Sequence, residues 1–179
     1  MKLLLLWLAG LVSLLPSASR KLVADPAASV IRYKMHHPMH DWEGISHQVQ
    51  SVAVYNDETD RFDAAAVSVT VASFDTKNAN RDSHTIEVLE GIKYPRITFS
   101  SSRIMQTGSR LAISGNLTFH GVTKPVTIEG TRTDDGNRVV VSGGFPVKMS
   151  DYGVERPSLM MVPTDESFEI QFSLVFSRR

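Results

Sequence analysis

The chain has 179 residues, with 19 Lys and Arg against 19 Asp and Glu, no formal net charge at pH 7 and no Cys. Balanced charge without a basic block offers nothing to nucleic acid or to an anionic membrane surface. Without Cys there are no disulfides and no thiol chemistry, so burial and a hydrogen-bonded ladder must hold the fold together.

The N-terminus reads as a secretory signal peptide over 1–19. Lys2 gives the positive start, and Leu3 to Leu15 form an apolar run interrupted only by Gly10 and Ser13. Pro16 breaks the run, and Ser17-Ala18-Ser19 supply small residues ahead of Arg20. Such a run is shorter than the roughly 20 residues that span a bilayer; an uncleaved anchor is the alternative reading. No Cys follows to carry a diacylglyceryl group. What remains, 20–179, is the size of one domain with a core of its own. The expected compartment is the periplasm of a Gram-negative cell.

Strand periodicity then dominates. A first strand is expected over 28–36. Val67, Val69 and Val71 alternate with Ser68, Thr70 and Ala72, which gives one face to an interior and the other to water. From Ala79 to Leu89 the period changes: Ile86 and Leu89 stand among polar residues and Gly91 stops the run ahead of Pro95. This predicts one short helix near 79–90, crossing between strands. Alternation returns with Ile97 and Phe99, then with Leu111 and Ile113.

Leu117 and Phe119, then Val126 and Ile128, flank a turn assigned to Gly121 and Pro125, which reads as a hairpin. Asn56-Asp57, Gly108-Ser109 and Asp134-Asp135-Gly136-Asn137 mark further turns. Tyr152 to Pro163 is a Met-rich, Pro-containing loop, either a flap over an opening or a strap across one end. Phe168, Ile170, Phe172, Leu174 and Phe176 complete the pattern as the clearest strand. The expectation is about eight strands in one domain, as a barrel or sandwich. Closing the sheet removes its edges, and a barrel of about eight strands is filled by side chains or holds one small ligand.

Two groups of residues could carry chemistry. The histidines are His36, His37, His40, His47, His84 and His120, of which His37, His40, His84 and His120 are the metal-ligand candidates. In a regular strand positions 36 and 40 lie about 13 Å apart, at roughly 3.3 Å per residue, so they share an ion only if Pro38 bends the chain. Arg81, Asp82 and His84 either meet a polar ligand head or cap the helix, where an Asp in the first turn is favoured. No nucleophile elbow, metalloprotease helix or phosphate loop is present. Enzymatic hydrolysis therefore ranks below His-rich metal binding.

Several segments, in order, resemble the YceI-like family of secreted lipid-binding β-barrel proteins. They are Asp25-Pro26-Ala27, Asn80-Arg81-Asp82-Ser83-His84, Lys93-Tyr94-Pro95-Arg96-Ile97-Thr98-Phe99 and the run LTFHGVTKP from Leu117 to Pro125. Ala28 stands where the family has a His; His37 matches a later family His but sits in an unusual His36-His37-Pro38-Met39-His40-Asp41-Trp42 cluster. The resemblance implies an all-β fold, an about eight-stranded antiparallel lipocalin-like barrel. It also implies non-catalytic binding of a polyisoprenoid, quinone-like or other long-chain amphiphile, with no cofactor. The implied ligand-binding residues are Val69, Phe99, Leu117, Phe119, Phe168, Ile170, Phe172 and Leu174 as an apolar lining, with Arg81, His84 and His120 as polar contacts. A homodimer is left open. A long chain suits such a lining because each buried methylene contributes about 0.8 kcal/mol.

Overall fold

The computed structural model describes residues 19–178; the expected signal peptide, Ser19 apart, lies outside the described residues. The alternating segments form one curled antiparallel sheet of ten strands. These are β1 (Ser19–Val23), β2 (Val30–Met35), β3 (Trp42–Ser46), β4 (Val49–Asn56), β5 (Arg61–Thr70), β6 (Arg96–Thr107), β7 (Arg110–Phe119), β8 (Val122–Asp135), β9 (Arg138–Lys148) and β12 (Ser167–Ser177). A separate small hairpin joins β10 (Ser158–Leu159) to β11 (Val162–Pro163), and α1 (Ala79–Val88) is the helix expected near 79–90.

The count of ten corrects the expected eight, and the pairing gives the reason. β1 and β2 are two pieces of one stave. β2 pairs with β12 and β3, while β1 pairs with β4 and runs on into Ala24, which bridges to Phe176 of β12. The break between them is a turn in which the Asp25 carbonyl accepts the Ser29 amide at 2.9 Å; the buried Ser29 hydroxyl then accepts the Val175 amide at 3.0 Å. β3 and β4 are likewise one stave, broken at His47-Gln48, where Ser46 Oγ accepts the Gln48 amide at 3.2 Å.

The β7–β8 hairpin is tighter than expected. Phe119 faces Val122, so the turn is His120-Gly121, with φ of 49° and 74°. Both angles are positive, as a two-residue turn matching strand twist requires. A Cβ on Gly121 would also stand 2.4 Å from the Tyr94 ring. Pro125 lies inside β8 opposite Asn116, not in the turn. Val71, expected in a strand, begins a short 3-10 turn over Val71–Ser73.

One line of the wall is unzipped. β8 pairs with β9 only from Gly130 to Asp135, and among the described residues no strand joins the other side of Val122–Glu129. Bonded and non-bonded pairs alternate along an antiparallel ladder. Counting from the two hairpin turns, the nitrogens of Pro125 and Pro146 both face this seam. Neither can donate, which suits a strand edge.

The barrel's two ends differ. The lower end holds the β4–β5, β6–β7 and β8–β9 turns. The upper end carries the β7–β8 turn, α1 and the 3-10 turn Met149–Tyr152. At the lower end the Arg132 side chain is 2% exposed, forms ion pairs at 2.9 Å with both Asp60 and Asp134, and lies over the rings of Tyr55 and Phe62. Arg178 adds a 2.9 Å pair to Asp134. Burial opposes the Arg132 charge, but hydrogen bonds to Asp134 and Asp60 outweigh it and keep the guanidinium protonated. The Tyr55 hydroxyl, which donates to Asp60, and Arg132 hold the Asp60 carboxyl below its ordinary range.

Candidate ligand cavity

The inward stripes of the strands do not fill the barrel. They leave an apolar main chamber between them. Every lining residue is apolar except Thr98. All eight residues expected to form an apolar lining, Val69, Phe99, Leu117, Phe119, Phe168, Ile170, Phe172 and Leu174, stand on this wall. Each lies on the inward phase of its strand, which is why a period of two finds them.

Above it lies an upper chamber, sharing Phe74, Ile97, Phe119, Phe168 and Ile170 with the lower one. Its roof is α1, through Arg81, His84, Thr85, Val88 and Leu89, and its sides include Tyr33, Trp42 and Met149. The helix starts where it does because Asn78 caps it, its side chain accepting the Arg81 amide at 3.1 Å. Asp82 Oδ1 accepts from the Thr76 amide at 3.0 Å and from the Thr76 hydroxyl at 2.6 Å. Asp82 therefore fastens the helix start and does not orient His84, whose Nδ1 lies 3.5 Å from Glu87 Oε2.

Arg81 is uncommitted. Its guanidinium lies 5.2 Å from the Trp42 ring centre and has no hydrogen-bonding or ion-pair partner among the described residues. Burial pushes the Tyr33 phenol up from its ordinary range. Tyr33 and Trp42 were missed in the sequence; the inward phase of Ile31, Tyr33 and Met35 is the signal that carries the first of them.

His120 lines neither chamber. Its ring borders a surface depression shared with His84, Glu87 and Glu90. Its Nδ1 lies 3.0 Å from the Tyr152 carbonyl and its Nε2 lies 2.9 Å from Glu90 Oε2. The ring thus bridges the segment after α1 to the 149–152 turn.

The other histidines do not converge. His37 is 1% exposed and fully used: Nε2 donates to the Val162 carbonyl at 3.0 Å and Nδ1 accepts the Met39 amide at 3.1 Å. His40 packs on Trp42, and His36 is 2.5 Å from Asp41. Among the described residues no group of three or more His, Asp or Glu side chains is placed to hold a metal ion. The same contacts place the Met-rich segment. His37 bonds β11, and the Thr164 amide donates to the Pro157 carbonyl at 2.9 Å, which fastens the base of the β10–β11 hairpin while Met160 and Met161 at its tip are exposed. Among the described residues no helix is long and apolar enough to cross a membrane.

The fold and cavity define a class: a lipocalin-like antiparallel barrel with an apolar interior and a helix across one end. The YceI-like domain model matches residues 22–176, and the chain belongs to that family. It is 29% identical over 147 residues to protein YceI of Salmonella newport, 77% of either chain. Its fold is similar to that of Burkholderia cenocepacia BcnA, with a TM-score of 0.76 at 23% identity, covering 85% of this chain and 98% of that one. It is also similar to a polyisoprenoid-binding domain from Saccharophagus degradans, with a TM-score of 0.68 at 14% identity, covering 88% and 97%.

Proposed function

We propose that this chain is a non-catalytic carrier of a long-chain amphiphilic lipid of the polyisoprenoid or quinone type, acting in the periplasm. The observation that carries the reading is the main chamber, a wall of side chains broken only by Thr98. An apolar chain gains about 25 cal/mol for each Å² it hides there. The two chambers share five wall residues, and the roof of the upper one offers Arg81 and His84 to the polar head. The family membership and the polyisoprenoid-binding domain of like fold support this reading.

The test is native mass spectrometry of protein exported by a Gram-negative host, followed by denaturation and identification of what is released. A stoichiometric lipid adduct lost on unfolding is the expected result. A bare chain that also takes up no lipid after delipidation overturns the carrier reading.

A further inference from the structure

Tyr33 is 8% exposed, and its hydroxyl is sealed from solvent with no hydrogen-bond partner among the described residues. An unpaired buried hydroxyl destabilises the fold, a penalty a Phe at the same place would avoid. The ring is held where it is by a gap in the opposite strand. Tyr33 pairs with Gly44 of β3, where a Cβ would come within 2.3 Å of the ring. Phe74 and Phe168 meet the ring edge-on, with centroids 5.5 and 6.3 Å away.

The upper chamber's polar groups do not complete the hydroxyl. Thr85 and Trp42 are near enough to temper the rise of the phenol, yet neither meets hydrogen-bond geometry. The Thr85 hydroxyl already donates to the Arg81 carbonyl at 2.9 Å. Asp82 is held by Thr76, and no carboxylate lines the chamber. A deep phenol on the wall of the upper chamber, and the guanidinium of Arg81 nearer the surface, thus have no protein acceptor in bonding geometry among the described residues.

We propose that Tyr33 and Arg81 form a head-group site for an anionic oxygen, phosphate or carboxylate, carried on a long apolar chain. This rests on the carrier reading above and deepens it. The deep phenol donates one hydrogen bond, and the guanidinium supplies charge and a second donor, which suits an acceptor-only head. The ligand then has one orientation, head beneath α1 and tail running down toward Arg132. A neutral head of the same length leaves the guanidinium charge unused.

The test titrates delipidated protein with hexadecyl phosphate, palmitate and hexadecanol by calorimetry, for the parent, Tyr33→Phe and Arg81→Gln. The parent is expected to bind at least one anionic probe about tenfold tighter than hexadecanol, the two anionic arms identifying the head. Each variant is expected to lose about tenfold on that probe and to keep its hexadecanol affinity within about twofold. The unliganded Tyr33→Phe protein should melt no lower than the parent, since it sheds an unpaired hydroxyl. Unchanged anionic binding by Tyr33→Phe, or no anionic preference in the parent, overturns the head-group site while leaving the carrier reading intact. Failure of all three probes to bind the parent overturns both.

Discussion

At the lower end of the barrel Arg132 is enclosed, stacked on two rings and paired with Asp60 and Asp134. At the upper end Arg81 is stacked on one ring and paired with nothing among the described residues. Both guanidiniums lie over aromatic rings, but only one is neutralised by the protein. The difference separates closure from reception. Where charge is consumed internally the barrel is plugged; where it is left over, beneath a helix and above an apolar chamber, it is available to something else.

Substitutions at the two arginines should break this contrast most sharply. Arg132→Ala removes the plug and leaves its two acids to Arg178 alone, and should lower unfolding free energy by about 3 kcal/mol. Arg81→Ala should change it by less than about 0.5 kcal/mol. Urea denaturation of the two variants side by side measures both; equal losses would erase the distinction. Next in size, Val67→Trp pushes an indole ring into the main chamber. Overpacking should cost about 2 kcal/mol, while lipid carried through purification, read by native mass spectrometry, should be lost.

A smaller effect is expected where the roof is tied down. His120→Ala removes the link between Glu90 and Tyr152 and should cost about 1 kcal/mol. Hydrogen exchange should then quicken at the Glu90 and Tyr94 amides but not in the Arg132 region. The smallest effect is with pH. Asp60 titrates below its ordinary value of 3.8 because Tyr55 and Arg132 favour its charged form. Its contribution is therefore fully present above pH 3.8 and is lost as pH falls through the lowered value. Because the Asp60 side chain is 61% exposed, the effect is screened. Thermal melts of parent and Asp60→Asn should converge in acid and separate above it.

Much of the wall was legible because a strand shows its inward face as every second residue. Phe168, Ile170, Phe172 and Leu174 needed no knowledge of their partners. Arg132 was equally within reach: Val126, Ile128 and Gly130 set a phase that lands on it, but a charge at an inward position is read as solvated unless its counter-ions are known. Those come from Asp60, far away in sequence, and Asp134. The strand count failed for a related reason. Nothing in His47-Gln48 signals a break, which shows only in the change of partner from β2 to β5. Tyr33 is in phase too, but that its hydroxyl lacks a partner depends on α1, which only the folded chain brings over it.

The seam between β8 and β9 changes how the wall bears load. A hoop of unbroken ladders is stiff, because widening it anywhere ruptures hydrogen bonds. Slit along one line, it works as a spring clip. Widening there bends the wall without rupturing backbone bonds, with Gly130 and Gly143 at the root of the slit. Above that pair the girth of the tube is set by side-chain contact and by the Lys124–Asp151 clasp at 3.1 Å, not by a fixed number of backbone bonds.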